Sequence, residues 1–144
     1  MTCAPAVSPR IIHIAAALLL NADGQTLLVR KRATTAFMQP GGKIEAHELP
    51  VQALARELEE ELGLVIDPSQ ATFLGQFSAP AANEPGFVVQ AEIFQLTIDA
   101  EVSPAAEIEE VVWVDPATDP ALELAPLTRD LILPFYRASL TQIA

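Results

Sequence analysis

The chain has 144 residues, with 19 acidic against 8 basic side chains and a formal net charge of −11. That balance argues against a nucleic-acid polymer or an anionic membrane as partner, because both are bound through basic surface. A hydrophobic fraction of 51% excludes a disordered chain, and the length fits one domain able to bury a core without disulfide staples.

The acidic surplus leaves room for a small phosphorylated ligand, since a bound divalent cation reverses the local field. Residues 1–9 hold two prolines and little periodicity and read as a loose tail, leaving residues 10–144 as a single domain. Cys3 in that tail is the only cysteine. No intramolecular disulfide can form, which fits a reducing cytoplasm. The apolar run Ile11–Leu20 is half the length of a membrane span, and Asn21-Ala22-Asp23-Gly24 follows where a leader peptide would need small residues. A buried strand ending in a turn is expected, with Asp23-Gly24 joining it to a second strand over Thr26–Arg32.

Gly41-Gly42 after Pro40 breaks the chain. From Leu49 to Leu62 the apolar residues Val51, Leu54, Ala55, Leu58 and Leu62 recur at helical steps, with Pro50 tolerated in the first turn and Gly63 as the stop. Strands are expected at Thr72–Phe77, Phe87–Ile98 and Val111–Val114, separated by loops at Pro80, Pro85-Gly86 and Pro104. A last helix is expected from near Thr128 towards Leu140, kinked or shortened by Pro134. Strands on both sides of a central helix point to an α/β domain with a mixed sheet covered on two faces.

The chemistry gathers on the central helix. Glu57, Glu60 and Glu61 stand at i, i+3 and i+4, on the face opposite the apolar stripe. There like charges repel and oppose the negative end of the helix dipole. A solvated acidic face, partly relieved by Arg56 reaching Glu60, is one explanation. A shared hard cation is the other, since Mg²⁺ favours carboxylate oxygen and bridges it to phosphates.

The flanking residues decide between them. Gly42, Glu48, Arg56, Glu57, Leu58, Glu60, Glu61, Gly63 and Leu64 reproduce without departure the Nudix box, a glycine, five residues, a glutamate, seven residues, then Arg-Glu-apolar-any-Glu-Glu-any-Gly-apolar. A chance match is on the order of 10⁻¹⁰ per window at ordinary composition. The chain therefore resembles the Nudix hydrolases. Pro40-Gly41-Gly42 and the acidic stretch Glu107–Asp115 extend the likeness to about Ile11–Arg137.

The resemblance implies an α/β/α sandwich with the box as loop–helix–loop, and hydrolysis of a phosphoanhydride bond in a small nucleotide-like substrate. It implies Mg²⁺, or Mn²⁺ in its place, held by Glu57, Glu60, Glu61 and the Gly41 carbonyl. Arg56 would orient a glutamate, and Glu48 would brace the loop–helix–loop. The general base is left open between Glu57 inside the box and Glu107 or Glu109 in the later loop. Dimers are common in the family, so a homodimer is expected.

Arg30, Lys31 and Arg32 form the only basic cluster. Arg30 and Arg32 share a strand face and would either meet substrate phosphates or form an ordinary charged strand end. Phe37 and Met38 precede the glycines and would contact base or sugar, or pack in the core. His13 reads as a satisfied half-buried side chain and His47 as exposed. No zinc-type Cys/His spacing is present, and Gly42-Lys43 is not a phosphate loop. For the substrate, the small size resembles the MutT-type nucleoside triphosphate pyrophosphohydrolases, including those acting on oxidised dGTP. Pro80, sixteen residues beyond the box, matches a feature of ADP-ribose hydrolases instead. An ADP-ribose or nucleotide-sugar pyrophosphatase and a non-catalytic nucleotide sensor are the rival readings.

Overall fold

The computed structural model describes residues 10–118 and 120–141. The expected tail, Cys3 included, lies outside the described residues. Six strands form one mixed sheet: β1 (Arg10–Leu20), β2 (Thr26–Lys31), β3 (Gly41–Lys43), β4 (Thr72–Pro80), β5 (Phe87–Thr97) and β6 (Ile108–Val114). The order across the sheet is β4-β5-β1-β2-β6, with β3 paired on β1. β1 runs parallel to β5 along its whole length and antiparallel to β2 and β3. A parallel sheet interior is covered on both faces, which is why β1 is a continuous apolar run rather than an alternating one.

The two covers divide the residues of β1 by parity. Ala15, Ala17 and Leu19 pack with Leu54, Leu58 and Leu62 of helix α1 (Pro50–Leu62). Ala16, Leu18 and Leu20 pack with Leu127, Ile132 and Tyr136 from the C-terminal segment. Burying one such leucine stabilises the fold by roughly 1.5–3 kcal/mol, so the paired leucine layers hold the sandwich together. The expected α/β/α architecture is met. No helix among the described residues is long and apolar enough to cross a membrane.

Three local differences from the sequence reading matter for the site. Gly41–Lys43, read as a break, is a three-residue strand hydrogen-bonded to Ile14–Ala16. Two glycines hide its strand character, and Gly41 adopts φ +149, where a Cβ would lie 2.2 Å from the Ala15 carbonyl oxygen. Glu61 does not lie on an open face opposite the apolar stripe: it is 2% exposed, because β3 and the loop before β6 close over that side of α1. The final helix begins as a turn of π-helix, Thr128–Ile132, before α2 (Leu133–Thr141). There the Leu133 amide bonds the Thr128 carbonyl. Pro134 lacks an N–H and crowds the carbonyl four residues back, and the widened turn accommodates both. Tyr136 anchors α2 by donating to the Gly24 carbonyl at 2.8 Å.

Candidate active site

Helix α1 starts at Pro50, with the Gln52 side chain accepting the Leu49 amide at 2.9 Å. It ends at Gly63 in the left-handed conformation (φ +65), whose amide returns to the Glu59 carbonyl. Two carbonyls of its last turn are taken up from outside: Ala105 donates to Glu61 at 2.8 Å and Ser103 to Leu62 at 3.0 Å. These bonds satisfy helix-end acceptors and dock the loop bearing Glu107 against the acidic end of α1.

Arg56 organises the box. Its guanidinium grips both oxygens of Glu48 (2.8 and 3.0 Å), donates to Glu57 at 2.9 Å and reaches the Lys43 carbonyl at 3.1 Å. Glu60 lies 3.6 Å away. Such a planar fork matches carboxylate geometry in a way lysine does not. The hydrogen bonds from Arg56, helped by the Glu45 amide, hold the Glu48 carboxyl well below its usual 4.5, at about 2. Substituting Arg56 by lysine is expected to lower turnover roughly 10–100-fold, because a near 1 Å misplacement of a reacting group costs about that much. Steady-state kinetics with a folded variant, verified by circular dichroism, checks this.

Glu57 and Glu61 flank the glycines of β3. A Cβ on Gly42 would sit 2.4 Å from the Glu57 carboxyl carbon, so the carboxylate occupies the space that glycine leaves. Glu61 accepts the Gly41 amide through Oε1 at 3.1 Å, while Oε2 is buried with no partner. Desolvation raises the Glu61 carboxyl to about 8, against the lowering effect of the Gly41 amide; Glu57 and Glu107 push it further up and Lys31 opposes them. A carboxylate buried beside like charges, with an oxygen left unpartnered, is costly unless it is protonated or met by a cation. A hard divalent ion fits this donor set, which is all oxygen. Among the described residues no three acidic, histidine or cysteine groups are already gathered as a ligand set; Glu60 is exposed at the edge.

Of the basic cluster, the middle residue faces the site. Lys31 pairs with Glu107 at 3.2 Å and lines the cleft beside Gly41 and Gly42. Arg30 is held by Glu110 and the Thr34 carbonyl, and Arg32 by Glu109. The reason is parity: Leu27 and Val29 face α1, so Lys31 follows them, while Arg30 follows Leu28. The sequence reading names Arg30 and Arg32 as substrate contacts, whereas Lys31 is the member of the cluster that the fold turns to the site. Phe37 is 5% exposed and packs with Leu28 and Val114, which makes its ring a core element and leaves half-buried Met38 lining the cleft. His13 is exposed and bonds Glu92 at 3.2 Å, and His47 is exposed with φ +66.

The family model of the NUDIX domain matches residues 10–133. The chain belongs to the Nudix family. An 8-oxo-dGTP diphosphatase from Haemophilus influenzae is 41% identical over 75 residues, 49% of this chain and 55% of that protein. An ADP-ribose pyrophosphatase from Methanocaldococcus jannaschii is 28% identical over 109 residues, 72% of this chain and 63% of that protein. The chain thus spans less than two-thirds of the length of either curated relative. The crystal structure of a MutT protein from Methanosarcina mazei Go1 superposes with a TM-score of 0.74 at 24% identity, covering 95% of this chain and 98% of that one. This last likeness establishes the Nudix fold.

Proposed function

We propose that this Nudix protein is a Mg²⁺-dependent hydrolase that cleaves a phosphoanhydride bond in a small nucleotide, with nucleoside triphosphates as the leading substrate class. One observation carries the reading: the buried, unpartnered oxygen of Glu61 set beside Glu57, with the two carboxylates packed against Gly41 and Gly42. Glu57, Glu60, Glu61 and the Gly41 carbonyl would hold the ion, which when bound supplies charge neutralisation at the phosphoryl oxygens and a more acidic water. Gly42 brings backbone close to the phosphates, and Lys31, at the cleft wall, offers them a positive charge. Water adds to phosphorus as the bridging P–O bond breaks, and its proton passes to a carboxylate. Glu57, held by Arg56, and Glu107, across from Lys31, are the bases the geometry favours. Glu109 is engaged by Arg32 on the outer side. The products are a nucleoside monophosphate and the displaced phosphate group.

The name of the Haemophilus relative supports a triphosphate substrate. The position of Pro80 favours a second reading, an ADP-ribose-type substrate, because it lines the apolar end of the same cleft. A panel of nucleoside triphosphates including oxidised dGTP, ADP-ribose, nucleotide sugars and dinucleoside polyphosphates separates the two. Release of a nucleoside monophosphate from at least one compound is expected, abolished by EDTA and restored by Mg²⁺ or Mn²⁺. Absence of turnover on the whole panel with either metal, alongside metal-independent binding, would replace the hydrolase with a sensor.

A further inference from the structure

The cleft beside the glycines continues towards the C-terminal segment. Its two halves share Ile14, Met38, Gln39, Ala82 and Val89. The first half carries Lys31, Gly41 and Gly42. The second is walled by Ala16, Pro80, Ala125 and Leu127, and among the described residues its polar side chains are Gln39 and Thr128.

Those two side chains are bonded to each other. Thr128, fully buried, donates its hydroxyl to Gln39 Oε1 at 2.8 Å. Gln39 is 5% exposed, and its Nε2 is buried without a partner. A buried N–H with no acceptor is costly, and folded proteins keep few of them. With Oε1 accepting from Thr128, Nε2 is the side-chain atom of Gln39 left without a partner beside the apolar wall.

We propose that Gln39, set in orientation by Thr128, selects the planar end of the substrate by donating from Nε2 to an exocyclic oxygen on its heterocycle. This rests on the reading that the ligand is nucleotide-like. An oxygen there gains a donor and brings no hydrogen of its own. An exocyclic amino group would set donor against donor at Nε2, in a wall otherwise formed by Ile14, Ala16, Val89 and Leu127, and would give up hydrogen bonds to water on entering it. Gln39 is therefore the specificity residue of the cleft, and Thr128 a positioning residue that acts through it.

The test uses the full chain and ligands that need no turnover. Inosine 5′-monophosphate and adenosine 5′-monophosphate differ by oxygen against amino at C6, with N1 protonated in the first and bare in the second, and each is titrated by calorimetry. The Gln39 side-chain amide signal is followed in parallel by ¹⁵N NMR. The oxo nucleotide is expected to bind about tenfold more tightly, the scale of one well-made hydrogen bond, and to shift the Gln39 amide. Gln39→Leu and Thr128→Val are each expected to erase the preference, while Thr128→Ser retains it. Should Gln39→Leu fail to fold, the two Thr128 variants still decide the matter. Equal affinity of the wild-type chain for the two nucleotides, or a preference that survives in Gln39→Leu or Thr128→Val, overturns the proposal. Selective binding without hydrolysis of any panel compound defeats the hydrolase reading alone. Hydrolysis with selectivity indifferent to Gln39 and Thr128 defeats this inference alone.

Discussion

Replacing Glu61 by glutamine is expected to lower turnover by roughly 10²–10⁴-fold and, in the same protein, to raise the melting temperature measured without divalent metal. The two effects share one cause. Glutamine keeps an oxygen to accept the Gly41 amide but cannot ionise, so folding no longer has to hold protonated a carboxyl that water would ionise. In the wild-type chain the Glu61 carboxyl is raised from 4.5 to about 8 by burial, so the folded state holds a proton that the unfolded state has released. Stability from this group is fully present below pH 4.5 and is lost as pH rises through about 8, a change of roughly 3–5 kcal/mol. Melting curves of the metal-free protein should therefore fall between pH 5 and pH 9, and the fall should flatten in Glu61→Gln. Added Mg²⁺ should raise the wild-type melting temperature more at pH 8.5 than at pH 6, because binding requires the deprotonated carboxylate. A variant that melts and turns over like wild type would remove Glu61 from the chemistry.

The adjacent glycines are expected to fail in different ways when each is changed to alanine. At Gly41 the new Cβ meets backbone, 2.2 Å from the Ala15 carbonyl oxygen and 2.6 Å from Ala16 Cα, at φ +149. Neither β1 nor β3 can yield without opening their pairing. Gly41→Ala should cost about 3 kcal/mol or more, read as an earlier urea midpoint. At Gly42 the Cβ meets the Glu57 carboxylate, 2.4 Å from its carbon and 2.7 Å from each oxygen. That side chain can swing aside, breaking its bond to Arg56. Gly42→Ala should fold with little loss of stability yet lose on the order of 10²-fold in turnover. Equal stability losses in the two variants would show that Glu57 is not held against β3 as described.

The residues of the box were legible because the motif sets their types and intervals together, and the fold class followed from strands flanking one amphipathic helix. What escaped depended on contacts between distant segments. Glu61 reads as solvated from its own helix, and only the docking of β3 and of the Ser103–Ala105 backbone encloses it. In β2, Thr26–Val29 are all buried, so no polar alternation marks which face meets α1, and the register shift after Arg30 blurs the count further. Lys31 was missed for that reason. Gln39 and Thr128 lie 89 positions apart, and no local pattern announces that pairing. From the sequence Phe37 fits either a ligand contact or the core, and its burial with Leu28 and Val114 follows from the bridges that the Phe37–Met38 segment makes to Leu124 and Val29.

The π turn at Thr128–Ile132 fixes an angular phase. Each residue of an α-helix advances the chain by about 100°, so the extra residue in this turn determines where Thr128 points relative to Tyr136. Excising one residue between them would leave Tyr136 latched to Gly24 and rotate the threonine hydroxyl away from Gln39. A chain of this architecture with an uninterrupted C-terminal helix would have to supply that hydroxyl from a neighbouring position, or leave the glutamine amide free to turn over.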